Sequence, residues 1–142
     1  SVGGSILLYG EGEKFTVGIR DPFSESSTES FAVLTLPATC ISTSGSYERY
    51  FDHDGVRYHH ILDPKTGYPA ESGLVGVTVV CSDGFMSDAL STACFVLGYE
   101  KSLPLIEKYG AQAVFVFNDR SVRVTGSLAD SFKLEKDGFK LL

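Results

Sequence analysis

Apolar and polar residues alternate in short runs through the first half of the chain. Phe15, Val17 and Ile19 point one way and their neighbours the other, which is the two-residue period of a half-buried strand. Ile6 to Tyr9, Phe31 to Leu36 and Cys40 to Ser44 read as further strands, with Pro37 ending the second of these. The turn residues Gly10 to Gly12 predict a hairpin joining Ile6–Tyr9 to Phe15–Arg20, and Asp21 to Ser30 reads as a surface loop. Tyr50-Phe51 and Val56-Arg57-Tyr58 flank Asp54-Gly55, the strongest short hairpin signal in the chain. Leu74 to Cys81 is a long apolar, β-branched run and predicts a central strand.

The period then changes. Met86, Leu90, Ala93, Cys94 and Leu97 recur three and four apart, which predicts a helix with that side in a core and Gly98 as its left-handed stop. A shorter helix is expected over Leu103 to Tyr109, with Pro104 in its first turn and Gly110 after its end. Ala111–Phe117 and Val122–Thr125 predict another hairpin, and Phe132 to Leu142 one edge strand. Hairpins with helices after the main strand run make an α+β fold, a mainly antiparallel sheet with helices packed on it. The expectation is a single domain over residues 1–142.

Composition narrows the function. At 43% hydrophobic and 21% charged the chain is that of a globular domain with a real core. A net charge of -6 repels phosphate backbones and argues against nucleic-acid binding; an anionic phosphate ligand would need a metal to offset that repulsion. Cys40, Cys81 and Cys94 fall in apolar runs and read as small buried hydrophobes. No apolar run reaches the length of a membrane span, and no signal-peptide or lipid-anchor motif is present.

Two stretches concentrate polar chemistry. Asp88 and Thr92 are four apart, so a carboxylate and a hydroxyl stand one above the other on a helix face away from Leu90. Such a pair suits a hard divalent cation such as Mg²⁺; the plainer reading is an acid near a helix N-terminus, where the dipole favours it. Upstream, His60-x-x-Asp63-Pro64-x-Thr66-Gly67 gathers an imidazole, a carboxylate and a hydroxyl around a proline turn. The proline stiffens that loop, and an imidazole can accept a proton near neutral pH. The alternative is a turn in which Asp63 bonds the backbone ahead of it and His60 is a hydrogen-bonded core residue. His59 and His60 point to opposite faces if extended, which argues against a zinc site shared with His53. Gly3-Gly4 can let backbone N–H groups approach a ligand or simply form a turn. Thr43-Ser44-Gly45 can bind an anion or cap a turn, and neither hydroxyl has a base near it in sequence.

Taken together, Gly3-Gly4-Ser5-Ile6, Val17-Gly18-Ile19-Arg20-Asp21-Pro22, Thr43-Ser44-Gly45-x-Tyr47, the His60-to-Pro69 loop, and Asp88-Ala89-Leu90-Ser91-Thr92-Ala93 with Leu97-Gly98 resemble the ApbE family of FAD:protein FMN transferases in order and spacing. The resemblance covers about the C-terminal half of a family member and implies an ApbE-like, T-fold-related architecture within a larger protein. Ser5 stands where asparagine is frequent, and Ser46 where an acid is. The activity it implies is Mg²⁺-dependent transfer of the FMN half of FAD onto a threonine or serine hydroxyl of a target protein, with AMP released. It also implies a flavin-acceptor protein of a membrane redox complex as partner, and an extracytoplasmic location, periplasmic or lipoprotein-anchored. By the same resemblance Asp88 and Thr92 match the metal ligands and His60 the base. FAD contacts fall on Gly4, Ser5, Ser44, Gly45, His60, Ile61, Asp63, Thr66 and Gly67. A Mg²⁺-dependent FAD pyrophosphatase and a non-catalytic flavin-binding domain are the competing expectations.

Overall fold

A computed structural model describes residues 3–142. Three layers stack: a helical layer, a large sheet and a smaller sheet. The large sheet has six strands in the order β1-β4-β7-β8-β9-β11. These are β1 (Ser5–Leu8), β4 (Thr39–Gly45), β7 (Leu74–Cys81), β8 (Gln112–Phe117), β9 (Ser121–Val124) and β11 (Lys140–Leu141). All neighbours in it are antiparallel except β11, which runs parallel to β9. The smaller sheet has the order β10-β3-β2, from β2 (Phe15–Arg20), β3 (Ser30–Leu36) and β10 (Phe132–Leu134). The strands β5 (Tyr50–His53) and β6 (Val56–His59) form a separate ribbon.

Side-chain alternation builds two cores from one sheet. On β7, Val77, Val79 and Cys81 face the helices, as do Ala113 and Phe115 on β8. Val114 and Val116 of β8 face the smaller sheet, where they meet Phe31, Leu34 and Ile19. With a layer on each side, β7 needs apolar residues at nearly every position, and that is why its sequence does not alternate.

Helix α1 (Gly84–Leu97) starts at Asp83, whose side chain accepts the Met86 N–H at 2.8 Å. Its buried face is Ser87, Leu90, Ser91, Cys94 and Phe95, while Leu97 is exposed. The apolar stripe is thus narrower than its spacing predicts, and two serines complete it against β4. Gly98, at φ +78°, turns the chain directly into α2 (Tyr99–Lys108).

Three expectations are corrected. The strands β1 and β2 do not form a hairpin: β1 pairs with β4 and β2 with β3, so the turn between them carries the chain from one sheet to the other. Helix α2 begins at Tyr99, so Pro104 lies inside it rather than in its first turn. The earlier start is favoured by the Tyr99 ring, packed edge-on against Phe115 at 5.1 Å between centroids, and by Ser102, whose hydroxyl donates to the Gly98 carbonyl at 2.6 Å. The Asp54-Gly55 hairpin forms as expected, with positive φ at both residues. The C-terminal stretch carries two short strands, β10 and β11, rather than one, preceded by a 3₁₀ turn over Gly126–Ser131.

Candidate functional site

A cavity of about 460 Å³ opens where β1, β2, β4 and α1 meet. Its rear wall is apolar, made by Ile6, Val17, Ile19 and Ile41. On its polar side lie Gly4, Ser44, Gly45, His60, Asp88 and Thr92, each a candidate site residue in the sequence.

Asp88 and Thr92 are exposed on α1 and line this cavity one helical turn apart. Ser5 lies behind Asp88 and donates its hydroxyl to Asp88 Oδ1 at 3.2 Å. Ser44 Oγ reaches Thr92 Oγ1 at 3.0 Å and Ser91 Oγ at 2.8 Å, which ties β4 to α1 beside the cavity. All these donors are oxygens. Among the described residues there is no cluster of three or more His, Cys, Asp or Glu that would cage a metal by itself. Two side-chain oxygens on an open wall fit a cation that fills its remaining positions with water and phosphate oxygens.

His60 follows β6 directly. Its backbone N–H and its ring Nδ1 both contact the Arg49 carbonyl, at 3.1 and 3.2 Å. A carbonyl only accepts, so Nδ1 carries the proton in the neutral ring and Nε2 keeps its lone pair. The neighbouring His59 turns the other way: its Nε2 donates to the Ala70 carbonyl at 3.3 Å and its ring stands edge-on to Phe95. Burial pushes the His59 pKa below the ordinary histidine value, the Ala70 bond offsets part of that, and His60 adds to it.

The rest of the proline loop lies outside the cavity. Ile61 is buried in the helix-side core. Asp63 Oδ1 accepts the Lys65 N–H at 2.9 Å and Thr66 Oγ1 accepts the Tyr68 N–H at 3.2 Å, so both side chains hold the turn in shape. Gly67 supplies that turn with φ +72°. Asp63 and Thr66 border a separate shallow groove with Arg57 and Pro69.

Arg20, Tyr47 and Glu48, to which the sequence assigns no role, also line the cavity. Arg20 Nη1 donates to Glu48 Oε1 at 3.1 Å, and its guanidinium lies 5.1 Å from the centre of the Tyr47 ring. The Tyr47 phenol is pushed up to about 12 by burial and by Glu48, with Arg20 opposing, so it remains a neutral hydroxyl. Its ring lies against Gly45: a Cβ there would sit 2.3 Å from the ring. For Arg20 and Tyr47 the signal is the Arg20-Asp21-Pro22 and Gly45-x-Tyr47 spacing, which carries no chemistry until the fold brings them together; Glu48 has no such signal.

A sequence profile of the ApbE family matches residues 1–115. The chain belongs to the ApbE family. It is 43% identical over 122 residues to the FAD:protein FMN transferase of Treponema pallidum, a match covering 85% of this chain and 33% of that protein. A FAD:protein FMN transferase of Klebsiella pneumoniae is 34% identical, covering 100% of this chain and 44% of that protein. The crystal structure of the ApbE protein from Thermotoga maritima superposes with a TM-score of 0.79 at 36% identity, covering 91% of this chain and 42% of that one. The chain therefore spans less than half the length of the ApbE proteins it matches. The α+β architecture expected from sequence is the one shared with the Thermotoga maritima ApbE structure.

Proposed function

We propose that this chain supplies the catalytic cavity of a FAD:protein FMN transferase. The observation that carries the reading is the meeting in one cavity of Asp88 and Thr92 from α1 with His60 from the end of β6. FAD, as substrate, would lie in the cavity with its pyrophosphate toward α1 and apolar surface toward Ile6, Val17 and Ile19. Asp88 and Thr92 would hold a Mg²⁺ ion, whose chemistry when bound is to offset the negative charge of the pyrophosphate.

His60 Nε2 would take the proton from a threonine or serine hydroxyl of the acceptor protein. The hydroxyl oxygen then forms a bond to the phosphorus of the FMN half. The bond from that phosphorus to the AMP phosphate breaks, and AMP leaves. The bond from the His60 ring Nδ1 to the Arg49 carbonyl holds the ring in the tautomer that can accept this proton. The larger protein would be an extracytoplasmic enzyme acting on a flavin-carrying subunit of a membrane redox complex.

The test is to incubate the complete protein with FAD, Mg²⁺ and an acceptor protein, then read flavin fluorescence on a denaturing gel. Asp88→Ala is expected to abolish labelling and AMP release, and His60→Ala to retain FAD binding with labelling reduced by at least a hundredfold. Unaltered labelling in either variant rejects the role given to that residue. Free FMN with an unlabelled acceptor would assign the pyrophosphatase reaction, with water in place of the hydroxyl.

A further inference from the structure

Ser91 precedes Thr92 on α1, is fully buried at 0% exposure, and does not line the cavity. Its hydroxyl donates to the Asp88 carbonyl at 2.9 Å. A hydroxyl has one proton to give. The 2.8 Å contact between Ser91 and Ser44 therefore has Ser44 as donor. That commits the Ser44 proton, so in the 3.0 Å contact between Ser44 and Thr92 the donor is Thr92. The Thr92 proton is directed back into β4, and the side of its oxygen that meets the cavity offers only lone pairs.

We propose that Ser44 and Ser91 are positioning residues that orient the Thr92 hydroxyl as an acceptor toward a divalent cation. The proposal rests on the metal reading above and adds a function for two serines, one of which has no access to any ligand. It also changes the role of Ser44. Its hydroxyl is engaged on both sides by α1, so it acts through Thr92 rather than by touching flavin. The orienting contact matters because a threonine proton aimed at the cavity would oppose a cation, and partners behind a metal ligand commonly govern affinity.

The experiment is a Mn²⁺ titration of the complete protein, followed by loss of the free-ion electron paramagnetic resonance signal. Ser44→Ala and Ser91→Ala are each expected to weaken Mn²⁺ binding roughly tenfold. Ser44→Thr, which keeps the hydroxyl, is expected to bind as the wild type does. In a Thr92→Val background Ser91→Ala is expected to have no further effect, since it acts only through that hydroxyl. A merely structural role for Ser91 would persist in that background and overturn the proposal. Wild-type Mn²⁺ affinity in both alanine variants, with binding lost in Asp88→Asn, would overturn the proposal while leaving the metal site standing. Wild-type affinity in Asp88→Asn, or no Mn²⁺ binding by the wild type, would remove the metal site and the proposal together.

Discussion

At the residue scale, Gly45 sets where the Tyr47 wall of the cavity stands. Its missing side chain is the space the Tyr47 ring occupies. Gly45→Ala is expected to push that ring aside and weaken FAD binding by about tenfold or more, with thermal stability changed much less; a fluorescence titration and a melting curve check both halves. His59 has a different consequence. Its Nδ1 is buried without a hydrogen-bond partner among the described residues, so protonating it in the folded protein leaves an unpaired charge. The unfolded chain takes up that proton near the ordinary value of 6.5, whereas the native state resists it. The contribution is therefore complete above about pH 6.5 and lost as pH falls through the depressed native value. His59→Gln is expected to flatten the fall in stability between neutral and mildly acidic pH, read from urea unfolding at several pH values. His60 and the Asp88–Thr92 pair were legible in sequence because each is a local pattern. Arg20 and Tyr47 were not, because only the assembly of two sheets makes them neighbours.

At the scale of elements, α1 is fixed by what lies beneath it. Phe95 is fully buried among β7, β8 and the His59 ring. Phe95→Ala is expected to destabilise the protein by about 3–5 kcal/mol, measured by chemical denaturation, because the void cannot collapse between a sheet and a helix. Local signals gave the elements themselves: a two-residue period for the strands, three-and-four spacing for α1, Asp54-Gly55 for its hairpin. Partner choice was not legible. Leu8 and Ile19 share one core but lie on opposing sheets, and alternation reports only which side of a strand is buried. Two strands that pair and two strands that face each other across a core therefore look alike in sequence. The start of α2 was missed for a related reason: Tyr99 earns its place in the helix by contact with Phe115, a residue far along the chain.

At the scale of the whole molecule, the ends of the small sheet are tied by charge. Asp21 is 1% exposed, and Lys136 Nζ lies 2.6 Å from its Oδ2 and 2.6 Å from Glu29 Oε1. Lys136 is held above the ordinary lysine range by those two carboxylates, Asp21 first. The Asp21–Ser30 loop is thus anchored to the far end of the chain, which no local pattern in that loop announces. Lys136→Met is expected to lower the melting temperature by several degrees, since it leaves a buried carboxylate unpaired; Lys136→Arg is expected to recover part of the loss.

The cavity is walled by side chains from β1, β2, β4, α1 and the segment after β6, and no single stretch of polypeptide encloses it. Occupancy of this cavity, by FAD as proposed, would therefore be a report on the finished fold: a chain with the strands paired but the two sheets not yet closed on one another would have every residue named above and nowhere to put a ligand.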